Sequence, residues 1–443
     1  MDMKQVDVDV VVIGAGLAGL CAARNLASEG RRVALVEARE RVGGRIWTVH
    51  TLGGHAVELG AEFVHGRPSE IAELAQEGQL ALTEASGARF VYTANGLEPT
   101  NDFLAGVREA LAGLSEQGVD QSFARYLDVA CGEDDEARLS ALEFVEGLQG
   151  ALAERISAHS MARSIRASST VEGWRSFRFA QGFDSLLKVM TAALPSRQVS
   201  LHLGHVVHTV RWSPGRVQVR AMGPDGEVEF KADAAVVTLP LGVLQAPANT
   251  EGAVHFEPPL NSKQAPLASL FMGQSMRVTM IFHERWWESN GVEALRGPGT
   301  VYARDDWFPT WWTPQQDGAV LVGWSASRRG ERLSGRGDQF ICDKAVVSLA
   351  RIFGVPEHTI MSSLRSWHVH DWQADPFARG SFSYMAVDGG EAQAKLAEPL
   401  AGTLFFAGEA TVSDGNQASV QGAIASGKRA ASEVLAVFKG QRV

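Results

Sequence analysis

Apolar positions along the chain follow two repeats, and their order predicts the architecture. Residues 8–13, Val-Asp-Val-Val-Val-Ile, form a short β-branched run. Such a run suits a strand buried on both faces of a parallel sheet. Gly14-Ala15-Gly16-Leu17-Ala18-Gly19 follows, then a helical pattern over 20–29 stopped by Gly30. A second strand is predicted over 32–36, ending in Glu37. Alternation over 201–212 predicts one further strand, and residues 232–242 a buried strand with a tight end. Residues 69–165 carry Leu104, Val107, Leu111 and Leu114 at helical spacing and are expected to be mainly helical. The acidic run Glu133-Asp134-Asp135-Glu136 is expected as a solvated loop between helices. Residues 270–325 predict strands, among them 278–282 and 319–324. Arg328-Arg329-Gly330-Glu331-Arg332 is expected as an exposed turn, and 422–435 as a last helix.

The order strand, glycine loop, helix, strand, acid is a dinucleotide-binding unit. Gly14 permits the tight turn, Gly16 lets the backbone approach a pyrophosphate, and Gly19 lets helix and strand pack closely. The helix N-terminus, at Leu17 and Ala18, offers N–H groups and a positive dipole to phosphates. Glu37 stands 18 residues after Gly19, placed to accept hydrogen bonds from a ribose.

Composition narrows the class. The chain has 443 residues, 45% hydrophobic and 21% charged, which excludes a disordered chain, a coiled coil or a small disulfide scaffold. A net charge of -10 argues against nucleic acid or an anionic membrane as partner. No apolar run reaches the roughly 18 residues of a membrane span. The first such run leads directly into the glycine motif, so no secretory signal is expected. Cys21, Cys131 and Cys342 show neither CxxC nor metal spacing, and are expected as thiols in a reducing, cytoplasmic setting.

The run after the second strand separates cofactors. Glu37-Ala38-Arg39-Glu40-Arg41-Val42-Gly43-Gly44-Arg45 reads ExxxRxGGR, with bare amides at Gly43-Gly44 and a fixed charge at Arg45. This resembles the FAD fingerprint of the flavin-containing amine oxidase family, which includes monoamine, polyamine and L-amino acid oxidases and a histone demethylase. Five later segments extend the resemblance in order. They are Glu58-Leu59-Gly60-Ala61-Glu62-Phe63-Val64-His65-Gly66, Gln181-Gly182-Phe183, the strand holding Val207, Ala232 to Gly242 with Thr238, and Leu404 to Ala410 with Gly408-Glu409, followed by the helix from Gly422. The resemblance implies an α/β fold: an FAD-binding Rossmann-like domain of glutathione-reductase type (5–68, 196–258 and 375–443) and a mixed α+β substrate-binding domain (69–195 and 259–374). It implies cofactor contacts from Gly60, Ala61, Glu62 and Phe63, from backbone at Val207, and from Ala418, Ser419 and Val420 before the last helix.

The implied reaction is hydride transfer from an amine α-carbon to flavin N5. Imine hydrolysis to a carbonyl compound follows, with reoxidation by molecular oxygen to hydrogen peroxide. The amine must shed its ammonium proton first, which an apolar pocket favours. Trp372 to Tyr384 is similar to the family's WxxDPxxxGSYSY segment. There Phe382 stands on one position of the aromatic cage and Trp372 near the flavin. The second cage ring is replaced by Ser419. Ser381 stands where monoamine oxidases tether the flavin through cysteine, so the FAD is expected to be non-covalent. Where the family carries a lysine ten residues before a tryptophan, this chain has Arg277 before Trp287. Arginine keeps the charge but cannot shed a proton, so Arg277 is expected to bridge water to the flavin, with altered oxygen reactivity. A solvent-facing strand arginine is the alternative.

His65 is a candidate at the substrate mouth, able to orient or deprotonate the amine, or else a structural histidine. Glu62 is expected to face the same cavity. His368-Val369-His370-Asp371 is read as a strand leading to Trp372, with no metal. Trp174, Trp307, Trp311 and Trp312 are candidates for an aromatic lining or for core.

An L-amino acid oxidase is the first rival, but Phe63 replaces the carboxylate-binding arginine of those relatives, leaving Arg175 or Arg178 as substitutes. A C–C desaturase or porphyrinogen-type oxidase shares the FAD domain, but the HG and WxxDP segments argue against it. A silent flavin scaffold is favoured only by Arg277. The expected partners are a small-molecule amine and molecular oxygen, with a homodimer left open.

Overall fold

The computed structural model describes residues 4–100, 105–132, 134–290, 299–304, 306–314 and 318–440. Its centre is a five-stranded parallel sheet in the order Val199–His202, Val33–Val36, Val10–Ile13, Ala234–Val237, Leu404–Phe406. All four residues of the strands Val10–Ile13, Val33–Val36 and Ala234–Val237 are buried, because both sheet faces are covered. On one face lie the helices Leu17–Ser28 and Val420–Gly440. On the other lies a second sheet built around Val206–Ser213, Arg216–Gly223 and Gly226–Ala232.

The first helix begins at Leu17 rather than at residue 20, because Gly16 already caps it and the glycine motif supplies its first turn. The stretch 201–212 is two strands in two sheets. Gly204, at φ +66°, breaks it, and backbone bonds from Gly204 and His205 to Arg39 and Glu37 hold the break. Ile71, Leu74, Phe183, Leu186 and Met190 pack into the core of the parallel sheet, though they fall in the stretch assigned to the substrate half.

The second large element is a seven-stranded sheet: Leu364–Val369, Ser275–Phe282, Val320–Ala326, Thr310–Trp312, Gly299–Tyr302, Ala88–Thr93, Gly96–Pro99. Its period-2 alternation divides roles. Met276, Val278, Met280 and Phe282 point into a core backed by the helix Asp338–Phe353, while Arg277 lies on the other face.

Residues 69–165 are less helical than their spacing suggested. Leu82–Glu84, Ala88–Thr93 and Gly96–Pro99 are strands, the last two closing a hairpin at Asn95. The run Ala-Arg-Phe-Val-Tyr-Thr is β-branched and aromatic, so strand propensity prevails there. Leu104 and Glu133 lie outside the described residues. Asp134 is a cap rather than a free loop charge, accepting from the Ala137 N–H at 3.0 Å. Arg328 to Arg332 fall within a helix, Ser327–Leu333, whose Gly330 is buried near the Ser325 carbonyl. The three cysteines are unpaired, and no helix among the described residues is long and apolar enough to cross a membrane.

The two helices over the parallel sheet touch through small residues. A Cβ on Gly427 would stand 2.2 Å from the Ala18 carbonyl oxygen, and one on Gly19 only 1.9 Å from that of Gly14. Gly427→Ala must therefore push the last helix off the first and is expected to cost about 2 kcal/mol. Calorimetry of the apoprotein would read this as a lower thermal midpoint with unchanged far-UV circular dichroism. An unchanged midpoint would show that the contact is not tight.

Candidate active site

A cavity of about 680 Å³ runs from the N-terminus of the helix Leu17–Ser28 to the open face of the seven-stranded sheet. At the first end the walls are Gly14, Gly16, Leu17 and Ala18, with Glu37, Ala38 and Arg39 beside them. The Glu37 carboxylate accepts from the Ala15 and Arg39 N–H groups at 2.8 and 2.9 Å, fixing the loop and the strand end together. A Cβ on Gly16 would meet nothing within 4 Å, so bare backbone faces open space. The first-turn N–H groups of the helix have no intrahelical acceptor. This cradle fits a dinucleotide phosphate. Gly19 alone among the expected cofactor residues does not line the cavity; it is filled against Gly14, as close helix packing demands.

Gly43, Gly44 and Arg45 form the next wall, joined to the glycine loop by the Gly43 N–H donating to Ala15. Arg45 donates to the Ser381 carbonyl and to Glu409 at 2.8 and 2.9 Å. The other Glu409 oxygen accepts from the Ser383 hydroxyl at 2.6 Å and the Ala418 N–H at 3.1 Å. Glu409 thus ties three segments together while bordering the cavity with Gly408. Thr238 donates to the Ile13 and Gly14 carbonyls, bracing the loop from behind. Val207 lines the same end, and so does His205, which the sequence did not single out. Gln181 and Gly182 do not reach the cavity. Instead Leu187, on the helix they start, supports Gly43.

Ala418, Ser419 and Val420 line the turn into the last helix. The Ser419 hydroxyl donates to Asn416 and accepts from the Gly422 N–H at 3.0 Å. It is a helix cap, which explains a serine at a position expected to hold a ring.

The Trp372 to Tyr384 segment is clasped to the fingerprint. Arg39 donates to both Asp375 oxygens at 2.6 and 2.7 Å, and His370 shares the second at 2.8 Å. Burial alone would push the Asp375 carboxyl up, but the bonds from His370 and Arg39 outweigh it and hold it far below the usual range. His370 is engaged here, and no group of three metal-capable side chains is found among the described residues. Trp372 is both core and wall: it is buried, donates to the Leu59 carbonyl at 2.7 Å, and borders the cavity. Phe382 and Ser381 line the cavity alongside it.

Charge concentrates where Gly60, Ala61, Glu62 and Phe63 meet the seven-stranded sheet. Arg277 is 7% exposed, so it is not a solvent-facing strand arginine. Its Nη1 donates to the Glu58 and Gly60 carbonyls at 3.1 and 2.9 Å, and its Nη2 lies 2.9 Å from Glu62. Its Nε is buried without a partner among the described residues. Such an orphaned donor beside the flavin-type segment fits a bound group or water. Arg178 lies 2.6 Å from the other Glu62 oxygen, which also accepts from the Trp312 indole at 3.1 Å. Two guanidinium groups thus share one carboxylate. Arg178 also covers the Phe63 ring at 4.4 Å.

His65 is open to the cavity yet enclosed by protein, with Nδ1 3.2 Å from the Ser176 hydroxyl. Burial pulls its pKa below the ordinary value, so the ring is neutral at pH 7. Trp174 and Trp312 line the cavity, whereas Trp307 and Trp311 belong to the core behind the sheet. Trp324 was missed, and Arg178 was named only as a substitute carboxylate binder, not as a partner of Glu62. Each sits at an alternate position of a short strand, Ser176–Phe179 or Val320–Ala326, and that parity was the signal available. Trp324 also donates to Gly147 within a π-helical turn, Phe144–Leu148, a feature that often marks functional sites.

Residues 17–435 match the family described as flavin containing amine oxidoreductase, and the chain belongs to that family; its cofactor is a flavin, FAD. Among curated relatives, lysine-specific histone demethylase 1 homolog 2 of Arabidopsis thaliana is 29% identical across 97% of this chain and 58% of its own length. Peroxisomal N(1)-acetyl-spermine/spermidine oxidase of Bos taurus is 27% identical, covering 98% of this chain and 95% of that protein. The chain spans only 52–58% of the first plant and human demethylases it matches. Wild-type putrescine oxidase bound to putrescine shares the fold, with TM-score 0.79 at 22% identity, covering 98% of this chain and all of that one.

Two predictions follow from the charges. Glu62→Gln leaves two buried guanidinium groups without a counter-charge and is expected to cost about 3–5 kcal/mol. Urea unfolding would measure it, and adding Arg277→Met should recover part of the loss. Burial raises the Glu58 carboxyl from 4.5 to about 7, against bonds from Thr48 and the Phe183 N–H. A raised folded pKa stabilises fully below the unfolded value and is lost as pH climbs through about 7. Stability should therefore fall by up to about 3 kcal/mol between acid and pH 8, a slope that Glu58→Gln should flatten.

Proposed function

We propose that this protein is an amine oxidase that oxidises the carbon–nitrogen bond of a small-molecule amine, with FAD held non-covalently. One observation carries the proposal. A single cavity joins the dinucleotide cradle at Gly14–Ala18 to a chamber walled by Phe382, Trp324, Trp312 and His65. FAD held at Gly14–Ala18, Glu37 and Gly43–Arg45 would supply the acceptor for a hydride from the amine α-carbon, with molecular oxygen as the electron acceptor that yields hydrogen peroxide.

The chain's own residues prepare the amine. His65, neutral at pH 7, takes the ammonium proton and leaves the nitrogen lone pair free to stabilise positive charge at the carbon. The aromatic wall of Phe382 and Trp324 disfavours the ammonium form. Arg277 holds the Glu58 and Gly60 carbonyls in place, and its free Nε is the donor available for a water beside the cofactor. Ser381 bonds Ser275 at 2.6 Å and offers no thiol for a covalent tether.

An α-amino acid substrate is less well supported. Arg178 is taken by Glu62, and Arg175 by Glu84 and Glu172, so neither is free for an α-carboxylate. The unpaired cysteines support a reducing compartment such as the cytoplasm. Strands from residues 10–36, 199–237 and 404–406 sharing one sheet support the proposed discontinuous FAD-binding domain. Its boundary is better drawn to include Ile71, Leu74 and the stretch 177–190.

Anaerobic titration of the holoprotein with primary amines and polyamines tests the proposal. At least one amine is expected to bleach the flavin band, and air to restore it with one equivalent of peroxide. Arg277→Met should slow reduction or reoxidation by about tenfold or more. Failure of every amine to bleach would overturn the proposal. Bleaching without recovery in air would replace oxygen by another acceptor.

A further inference from the structure

We infer that the cavity takes an elongated amine carrying an anionic group at its far end, and that Arg89 receives that anion. The inference rests on amine oxidation at the site above and names its substrate class.

It begins with a count of charges. The acidic residues lining the cavity among the described residues are Glu37, Glu62 and Glu409. Glu37 and Glu409 are bonded within the cofactor end, and both Glu62 oxygens are taken by Arg178 and Arg277. A second ammonium on a substrate therefore meets no free carboxylate. Arg89 also lines the cavity, is exposed, and makes no side-chain hydrogen bond or ion pair among the described residues. Among the described residues lining the cavity's substrate end, the free charge is positive.

The sheet fixes where that charge stands. Arg277 pairs in register with Trp324, Trp324 with Thr310, and Thr310 with Tyr302. One pair further along, Trp312 opposes Thr300, and Thr300 opposes Arg89. Residues opposite one another share a face, and all of these line the cavity. The open face thus carries an engaged guanidinium at one end, an aromatic and hydroxyl floor, and a free guanidinium at the other. The Tyr302 hydroxyl, raised by burial, feels the opposing charge of Arg89. Four strand spacings separate the two arginines, on the order of 19 Å. That separation excludes an α-amino acid as the molecule spanning both ends. It suits a chain lying along this floor whose carboxylate or comparable anion reaches Arg89.

Three ligands of one length test this on the holoenzyme: decylamine, its ω-carboxylate and its ω-amine. Flavin bleaching and steady-state turnover are measured for each. The ω-carboxylate is expected to have a KM about tenfold below decylamine, with the diamine weakest. Added salt should narrow the gap. Arg89→Glu should reverse the order of carboxylate and diamine, and Arg89→Lys should keep it. A structural role for Arg89 would shift all three ligands together and leave their ratio unmoved, overturning the inference. Preference for the diamine in the wild type would overturn it too. If benzylamine bleaches the flavin and the three chains show no charge preference, the inference falls and amine oxidation stands. If no amine bleaches it, both fall.

Discussion

The buried contact between Glu62 and Arg277 is the constraint around which the cavity is arranged. A carboxylate and a guanidinium, each under a tenth exposed, stay charged only if they neutralise one another. Glu62 lies on the segment that follows the strand Ala56–Glu58, and Arg277 on the strand Ser275–Phe282, next to one edge of the seven-stranded sheet. Their contact fixes that sheet against the edge of the dinucleotide fold. Hydrogen bonds from Arg277 to two carbonyls of the first segment then set its height. Arg178 and the Trp312 indole complete the same carboxylate, so three strands converge on one side chain.

Two more ion pairs repeat this device. Arg39 meets Asp375 across 336 residues, and Arg45 meets Glu409 across 364. All three pairs join the first sixty-odd residues to partners more than two hundred positions away, and each places at least one partner on the cavity wall. The parallel sheet is also assembled from distant stretches. The cavity is therefore not shaped by any one segment. It closes only when the distant stretches have docked, and the charges then have low exposure and little salt screening.

This explains what the sequence revealed and what it hid. Gly14 to Gly19, Glu37 and Gly43 to Arg45 were legible because their chemistry is local: a backbone loop, a helix end and an acid at a fixed offset. Phe382, Trp372 and His65 were legible as motif positions. The partners of Arg277 were not, since a buried and a solvent-facing arginine look alike in a strand until the opposing face is known. Ser419 looked like a missing ring because its cap on the last helix depends on a turn that no periodicity reports. The short strands at 82–99 were hidden beneath neighbouring helical spacing. Arg89 carried no signal by itself, and its meaning comes from the six strands beside it.

In the proposed reaction, the absence of lysine at position 277 changes how protons would be handled. Arginine remains cationic throughout the working range of pH, so neither it nor Arg178 can accept the proton an amine must lose. Nor can Glu62, whose two oxygens are occupied by these cations. The remaining group at the chamber wall suited to accept a proton is His65, whose burial favours the neutral form. In the proposed reaction, the same charges that hold the fold at this end leave proton removal to one imidazole. On the inference drawn above, the far end of the sheet, where no carboxylate among the described residues answers Arg89, decides which amines are retained.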